Sequence, residues 1–172
     1  MLEPAIKYKE VLENIQYNTW FNDKYKYWIS DVCCSSLKIQ DHTWEKHQFV
    51  SVVNGKIIGY IEYNISRADN SVSGINILNF TDNRIAFGKD LHQALRDIFE
   101  RFNFRKANFS VVIGNPIERS YDKLIAKYGG RIVGTYKEDV KLFDGKLYDR
   151  KVYEVLNKEY FNSVSKKKRG IK

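Results

Sequence analysis

The sequence predicts an α/β domain built on a mixed, mostly antiparallel central sheet with helices against it. Two turn dipeptides support this prediction, because Asn54-Gly55 and Asp144-Gly145 each separate two β-branched or aromatic runs, as in tight hairpins. Between the hairpins, strand and helix patterns alternate only over residues 72–128. That is too short an alternation for a wholly parallel, doubly wound sheet.

Length and charge predict one domain over residues 1–160 and a basic tail over residues 161–172. A chain of 172 residues is the size of one domain with one core. The tail carries five of the eight net positive charges and no acid. We expect a solvated terminus here and not a nucleic-acid-binding arm, so nucleic acid is an unlikely partner.

The two cysteines, Cys33 and Cys34, are adjacent, which rarely suits disulfide geometry. They indicate a reduced, intracellular protein, and no neighbouring feature marks a reactive thiol. No stretch approaches the roughly 18 apolar residues of a membrane span. We therefore expect a cytoplasmic protein with no membrane partner.

The first third of the chain is aromatic and predicts two helices, over residues 7–15 and 23–32. Its large aromatic side chains either fill the core, which we favour, or form a substrate-binding wall. These side chains are Trp20, Tyr25, Tyr27 and Trp28.

The middle of the chain predicts strands over residues 49–53, 56–65 and 72–80, the third burying Ile75, Ile77 and Leu78. A loop over residues 81–90 then leads into an amphipathic helix over residues 89–102.

The last part predicts an interior strand over residues 107–113, a helix, and a hairpin of residues 131–141 and 146–156. The helix has clear end signals. Asn115 fits the N-cap, Pro116 the first turn and Glu118 the third position of a capping box, while Gly129-Gly130 supplies the stop.

The order of these pieces over residues 49–155 resembles the GNAT superfamily of acyl-CoA-dependent N-acyltransferases. The pieces are FVSVVNGKIIGYIEY, INILNFTDNRIAFGKDLHQAL, NPIERSYDKL and GGRIVG with the final hairpin. The resemblance implies a mixed sheet that binds acyl-CoA between two splayed central strands. Within the superfamily the chain is similar to the group that includes acetyltransferases of ribosomal-protein N-termini and of small amines.

The resemblance implies a pyrophosphate site at a helix N-terminus, where backbone N–H groups and the helix dipole attract anions. One register anchors the family pattern on Arg84, with Ile85 following and Phe87 and Lys89 on its glycine positions. A second register places Gly88, Lys89 and Asp90 on a Gly-Lys-Gly. An ordinary basic loop is the alternative.

The resemblance also assigns roles in the helix that follows. Asn115 matches an asparagine that contacts coenzyme A, although capping explains it equally well. Tyr121 and Lys123 fall in a Tyr-Asp-Lys-Leu segment similar to the family's Tyr-Glu-Lys-Leu, in which the tyrosine is the general acid. Tyr128 is the substitute, and either tyrosine could simply be core.

On this reading, the backbone N–H groups around Ile77 and Leu78 polarise the thioester carbonyl. Glu62 is the candidate general base, and a solvated glutamate on a strand face is the alternative. The three histidines, His42, His47 and His92, are expected to be structural or exposed, and no metal site is expected.

The function implied is acetyl transfer from acetyl-CoA to a primary amine by direct attack in a ternary complex. The acceptor is a small-molecule or protein amine, and a homodimer is compatible with the resemblance. A catalytically silent GNAT-like module that binds coenzyme A or a partner protein is the alternative.

Overall fold

The structure is a computed structural model that describes residues 1–17, 22–27, 37–81 and 84–168. The strands are β1 Leu2–Pro4, β2 Lys46–Val53, β3 Lys56–Ser66, β4 Ser71–Asn79, β5 Lys106–Val112, β6 Arg131–Lys141 and β7 Leu147–Leu156. The helices are α1 Lys9–Tyr17, α2 Arg84–Glu100, α3 Glu118–Tyr128 and α4 Asn157–Lys168, with 3-10 turns at Ala5–Tyr8 and Asp23–Tyr25.

The seven strands have the order β1-β2-β3-β4-β5-β7-β6. β4 and β5 are parallel. They pair at the starts of the two strands, where Ser71 lies opposite Lys106 and Val72 opposite Ala107. The neighbouring pairs β1–β2, β2–β3, β5–β7 and β6–β7 are antiparallel. This confirms the predicted fold class, a mixed and mostly antiparallel sheet with helices.

The chain forms two compact units. The first comprises Met1–Ile65 and Ile75–Arg96, and the second comprises Ser66–Gly74 and Asp97–Lys172. A single domain that ends at residue 160 stays a prediction, and α4 runs across that boundary.

In the first unit, the two faces of the β2–β3 hairpin bury different clusters. Val50 and Tyr60 lie on one face with Leu12, while Ile61 lies on the other with Phe87 of α2. The hairpin turns as predicted, because Asn54 and Gly55 both take left-handed backbone angles, with φ of 50° and 75°.

In the second unit, stacked aromatic rings connect neighbouring strands and also connect the helices to one another. Phe109 of β5 stacks on Tyr153 of β7 at 5.0 Å between ring centroids. Tyr160 of α4 stacks on Phe99 at 4.8 Å and on Tyr128 at 5.2 Å. Helix α4 was not predicted, because its polar, Ser- and Lys-rich sequence shows little apolar periodicity.

The predicted loop over residues 81–90 is wrong from Arg84 onward, because α2 begins at Arg84 and not at Lys89. Gly88 costs a helix about 1 kcal/mol relative to alanine. Phe87, which is 4% exposed, offsets that cost by packing on Ile61 and Ala94. Tertiary packing, which local propensity does not contain, therefore sets the start of this helix.

The N-terminal helix prediction is confirmed in part, as a 3-10 turn followed by α1. Of the second predicted helix, only the turn Asp23–Tyr25 falls in the described part, where Tyr25 and Tyr27 are half-buried. Trp20, Trp28, Cys33 and Cys34 lie outside the described residues. Strand β1 was not predicted from the sequence.

The third strand is confirmed as β4, but its burial does not follow simple alternation. Gly74 takes a left-handed φ of 58° inside the strand, which side chains rarely tolerate. Ile75 and Leu78 are buried as predicted, whereas Ile77 is only half-buried.

Candidate active site

Glu62 lies at the centre of a polar network in the first unit. Its Oε2 atom accepts hydrogen bonds from the Tyr60 hydroxyl at 2.7 Å and from Gln48 Nε2 at 3.0 Å. The Lys46 ammonium lies 3.1 Å from the same oxygen, and Asn76 Nδ2 donates to Oε1 at 2.9 Å. The alternative of a solvated glutamate is wrong, since Glu62 is only 7% exposed.

The network fixes the charge of Glu62. Burial alone would raise the pKa of this carboxyl, but the hydrogen bonds from Asn76 and Tyr60 and the Lys46 ammonium together hold the pKa below its usual value. Burial and the adjacent Glu62 charge raise the pKa of Tyr60. The result is an ionised carboxylate beside a neutral phenol, and Lys46 is the cation that contacts it.

The residues that hold Glu62 come from three strands. Lys46 and Gln48 lie on β2, Tyr60 and Glu62 on β3, and Asn76 on β4. Asn76 precedes Ile77 and Leu78, the proposed contacts to the acyl group. Of that pair, Leu78 packs in the cluster of Val50 and Tyr60, and Ile77 packs against the cluster of Ile61 and Phe87. Sequence reasoning singled out Glu62 but none of its four partners, which strand pairing brings together.

The proposed pyrophosphate residues occupy the first two turns of α2. The first four N–H groups of a helix have no partner within it, so at this end those of residues 84–87 are the ones available to an anion. The N–H groups of Gly88, Lys89 and Asp90 lie one turn further on.

The side chains on these first two turns of α2 differ in their exposure and contacts. Ile85 is 76% exposed, Lys89 is exposed and Phe87 is buried, while the Arg84 side chain lies outside the described residues. The Asp90 carboxylate accepts a hydrogen bond from the Ser51 hydroxyl at 2.6 Å and contacts the Met1 amine at 2.8 Å. Gly88 has open space around the position where a Cβ would be.

The capping box predicted for α3 is wrong in detail. The helix begins at Glu118, and its N-cap residue, Ile117, makes no side-chain cap. Asn115 instead forms a turn before the helix, in which its Oδ1 accepts from the Ile117 N–H at 3.1 Å. Glu118 reaches back to the Gly114 N–H at 3.2 Å, not to Asn115. At the other end, Gly129 supplies the predicted left-handed stop, with φ of 73°.

Tyr121 lies on the inner face of α3 and is 7% exposed. Its ring packs edge-to-face on Phe109 at 5.1 Å and on Tyr153 at 6.0 Å. Burial raises the pKa of its phenol. No hydrogen bond to its hydroxyl is recorded within the described part of the chain. Of the other predicted residues here, Tyr128 stacks on Tyr160 and Lys123 is exposed.

An ionic cluster beside Tyr121 was missed by the sequence analysis. Lys151 of β7 contacts Glu118 and lies 3.3 Å from Asp122 Oδ2, both on α3. The Tyr153 hydroxyl donates to Asp122 Oδ1 at 2.9 Å. These contacts attach α3 to β7 on the two turns that contain Tyr121. The alternation of β7 could have indicated an inward lysine, but not its partners.

The described residues contain neither a metal-ligating cluster nor a membrane-spanning helix. Within residues 1–17, 22–27, 37–81 and 84–168, no group of three or more His, Cys, Asp or Glu side chains could hold a metal ion. None of the helices in that part of the chain is long and apolar enough to cross a membrane.

Neither a protein-family model nor a curated protein sequence matches this chain. Solved structures do match. A probable GNAT-family acetyltransferase from Chromobacterium violaceum has a TM-score of 0.69 at 15% identity, over 93% of this chain and 88% of its own. The fold is that of the GNAT acetyltransferases.

Two structures of SpeG from Vibrio cholerae share the GNAT fold. A variant of this spermidine N-acetyltransferase matches with a TM-score of 0.67 at 19% identity, over 94% of this chain and 98% of its own. The spermidine/spermine N-acetyltransferase SpeG with manganese ions matches at 0.57 and 22% identity, over 70% and 71% of the two chains. This chain spans only 65% and 63% of the length of two further acetyltransferase structures. The ribosomal-protein subgroup stays a prediction.

Proposed function

We propose that this protein transfers an acetyl group from acetyl-CoA to a primary amine by direct attack in a ternary complex. The observation that carries the proposal is the Glu62 network, a buried and ionised carboxylate in a chain with the GNAT fold. The named neighbours include a spermidine N-acetyltransferase, so a small alkylamine is the first acceptor to test.

The helix start at Arg84 fits the anionic cofactor. The N–H groups of residues 84–87 would bind the pyrophosphate, and the open space beside Gly88 admits a close approach. Lys89 adds an exposed positive charge nearby in sequence, and Asp90 is already engaged by Ser51. Asn115 and Lys123 are proposed as further contacts. Bound acetyl-CoA supplies the activated acetyl thioester.

Glu62 is proposed to orient the acceptor amine and to receive its proton, directly or through water. The four donors to Glu62 hold its carboxylate in one position, which fixes where an ammonium group can bind. Backbone N–H groups at Ile77 and Leu78 are proposed to stabilise the negative charge that develops on the carbonyl oxygen.

Tyr121 is proposed to protonate the departing thiolate. A phenol of ordinary pKa is protonated at neutral pH, as a proton donor requires, and the burial that raises the pKa of Tyr121 makes it a weaker acid. Tyr128, the substitute, stacks on Tyr160, which gives it a structural role. A cytoplasmic location and a homodimer are parts of the same proposal.

The decisive experiment measures thiol release from acetyl-CoA in the presence of alkylamines, with spermidine and short monoamines as the first panel. We expect amine-dependent release and a melting temperature that rises with acetyl-CoA concentration. Stabilisation without release for any amine or peptide would indicate the alternative, a silent module that binds coenzyme A. The departures of Phe87, Lys89 and Asp90 from the family pattern favour that alternative. Absence of both effects would exclude the proposal.

A further inference from the structure

A cleft of about 470 Å³ opens in the second unit, where three segments of the chain meet. These segments are the turn before β4, the loop between α2 and β5, and the junction of β7 with α4. The cleft is lined by Asn70, Asn103, Arg105, Leu156, Asn157 and Lys158. None of these residues has a role in the proposed acetyl transfer.

Hydrogen bonds between the three segments hold the lining in place. The Arg105 N–H donates to the Asn70 carbonyl at 2.8 Å, and the Asn157 N–H donates to the Arg105 carbonyl at 2.9 Å. Asn157 Nδ2 donates to Asn103 Oδ1 at 3.2 Å and to the Phe104 carbonyl at 3.0 Å. The lining is therefore organised before any ligand binds, which lowers the entropy cost of binding.

Within the described part of the chain, two cations in this cleft have no carboxylate partner. Arg105 is oriented by a 3.1 Å hydrogen bond from its Nε to the Asp69 carbonyl, and no ion pair is recorded for Arg105 or Lys158 among the described residues. The Asp69 carboxylate instead accepts from the Ser66 hydroxyl at 2.7 Å. Five of the unit's other basic residues contact carboxylates, namely Lys106, Arg131, Lys137, Arg150 and Lys151.

The lining residues of the cleft indicate the charge of a ligand, and the cleft volume indicates its size. Arginine and lysine without an acid favour an anion, and the terminal nitrogens of a guanidinium match two oxygens of a phosphate group. The amides of Asn70 and Asn103 can donate to hydroxyl groups, whereas Asn157 can only accept through Oδ1, because both hydrogens of its Nδ2 are donated within the protein. A volume of about 470 Å³ exceeds what inorganic phosphate fills and falls within the usual range of small-molecule sites.

We propose that this cleft binds the phosphate monoester of a small polyhydroxylated molecule. The phosphate group binds Arg105 and Lys158, and the hydroxyl-bearing body binds the amides of Asn70, Asn103 and Asn157. Leu156 supplies the apolar part of the wall.

The test is a calorimetric titration with glucose 6-phosphate, carried out with saturating coenzyme A so that any nucleotide site is already filled. Glucose and inorganic phosphate are titrated in parallel. We expect saturable binding of the phosphate ester, binding of inorganic phosphate at least tenfold weaker, and no binding of glucose. Absence of saturable binding by the ester, or equal binding of the ester and inorganic phosphate, would overturn the proposal.

Matched variants separate this site from general attraction to a basic protein. Arg105→Gln should weaken the ester at least tenfold and Arg105→Lys less, because lysine keeps the charge but loses the planar fork. Lys141→Gln removes one exposed cation from the same unit and should leave the affinity unchanged. If Arg105→Gln lowers the melting temperature, Lys158→Gln replaces it, since Lys158 is exposed. Equal losses in the cleft variant and in Lys141→Gln would contradict the proposal.

Discussion

At the scale of single residues, the two candidate catalytic groups differ in their surroundings. Glu62 accepts hydrogen bonds from partners on three strands, whereas the Tyr121 side chain packs its ring on Phe109 and Tyr153. Substitution therefore tests different properties at the two positions. At Glu62 both stability and activity should respond, and at Tyr121 chiefly the rate.

Replacing Tyr121 by phenylalanine should lower kcat about 100-fold, a typical contribution of a general acid. The melting temperature with acetyl-CoA should stay the same, because the ring contacts with Phe109 and Tyr153 remain. Steady-state kinetics and thermal denaturation measure both effects. Tyr128→Phe is the control, and an unchanged rate for Tyr121→Phe would remove Tyr121 from the mechanism.

Glu62 should also make the free energy of unfolding depend on pH. Its folded pKa lies below the usual glutamate value of about 4.3, so its stabilisation is complete above that value and is lost as the pH falls through the folded pKa. Glu62→Gln should cost about 1–3 kcal/mol at pH 7, because Lys46 loses its partner, and should reduce the loss of stability in acid. Urea denaturation between pH 7 and pH 3 measures both, with Glu45→Gln as the exposed control.

At the scale of elements, the two hairpins were predictable because Asn54-Gly55 and Asp144-Gly145 specify their turns locally. The start of α2 could not be predicted from the sequence, since it depends on burial of Phe87 against β3. The partners of Glu62 could not be predicted for a similar reason. Lys46 and Asn76 are far from Glu62 in sequence, and only the pairing of strands brings them to it.

The packing of β3 on α2 gives a prediction at Gly59. A Cβ atom there would lie 2.2 Å from a carbon of the Phe87 ring, so Gly59→Ala should destabilise the protein by about 1–3 kcal/mol. Gly134→Ala is the matched control, because no described residue apart from its chain neighbours has an atom within 4 Å of its Cβ position. Chemical denaturation compares the two. Phe87→Leu, added to Gly59→Ala, should recover part of the loss, and equal stability of the two alanine variants would contradict this packing.

At the scale of the whole molecule, the positive charge is unevenly divided. The first unit contains 10 basic and 10 acidic residues, and the second contains 19 basic and 11 acidic residues, a difference that equals the net charge of +8. The clusters on each unit follow this division. The Glu62 network pairs one acid with one base, whereas the cleft at Arg105 and Lys158 has bases alone.

The positive charge of the tail, residues 161–172, should affect weak binding to polynucleotides but not the proposed acetyl transfer. Replacing the four consecutive basic residues 166–169 by glutamine should leave kcat and the effect of acetyl-CoA on melting unchanged. It should reduce any affinity for polynucleotides and lower the salt dependence of that affinity, because fewer counterions are released. Filter binding at several salt concentrations measures this. An altered kcat would place the tail near the acceptor.

The position of α4 has a practical consequence for anyone who shortens this protein. The sequence suggests residue 160 as a natural end, but that cut would remove Ser163, whose side chain lies against Gly129, and most of the helix that holds Tyr160 on Phe99. A truncated protein should therefore retain residues up to 168. Affinity tags and fusion partners belong after that point.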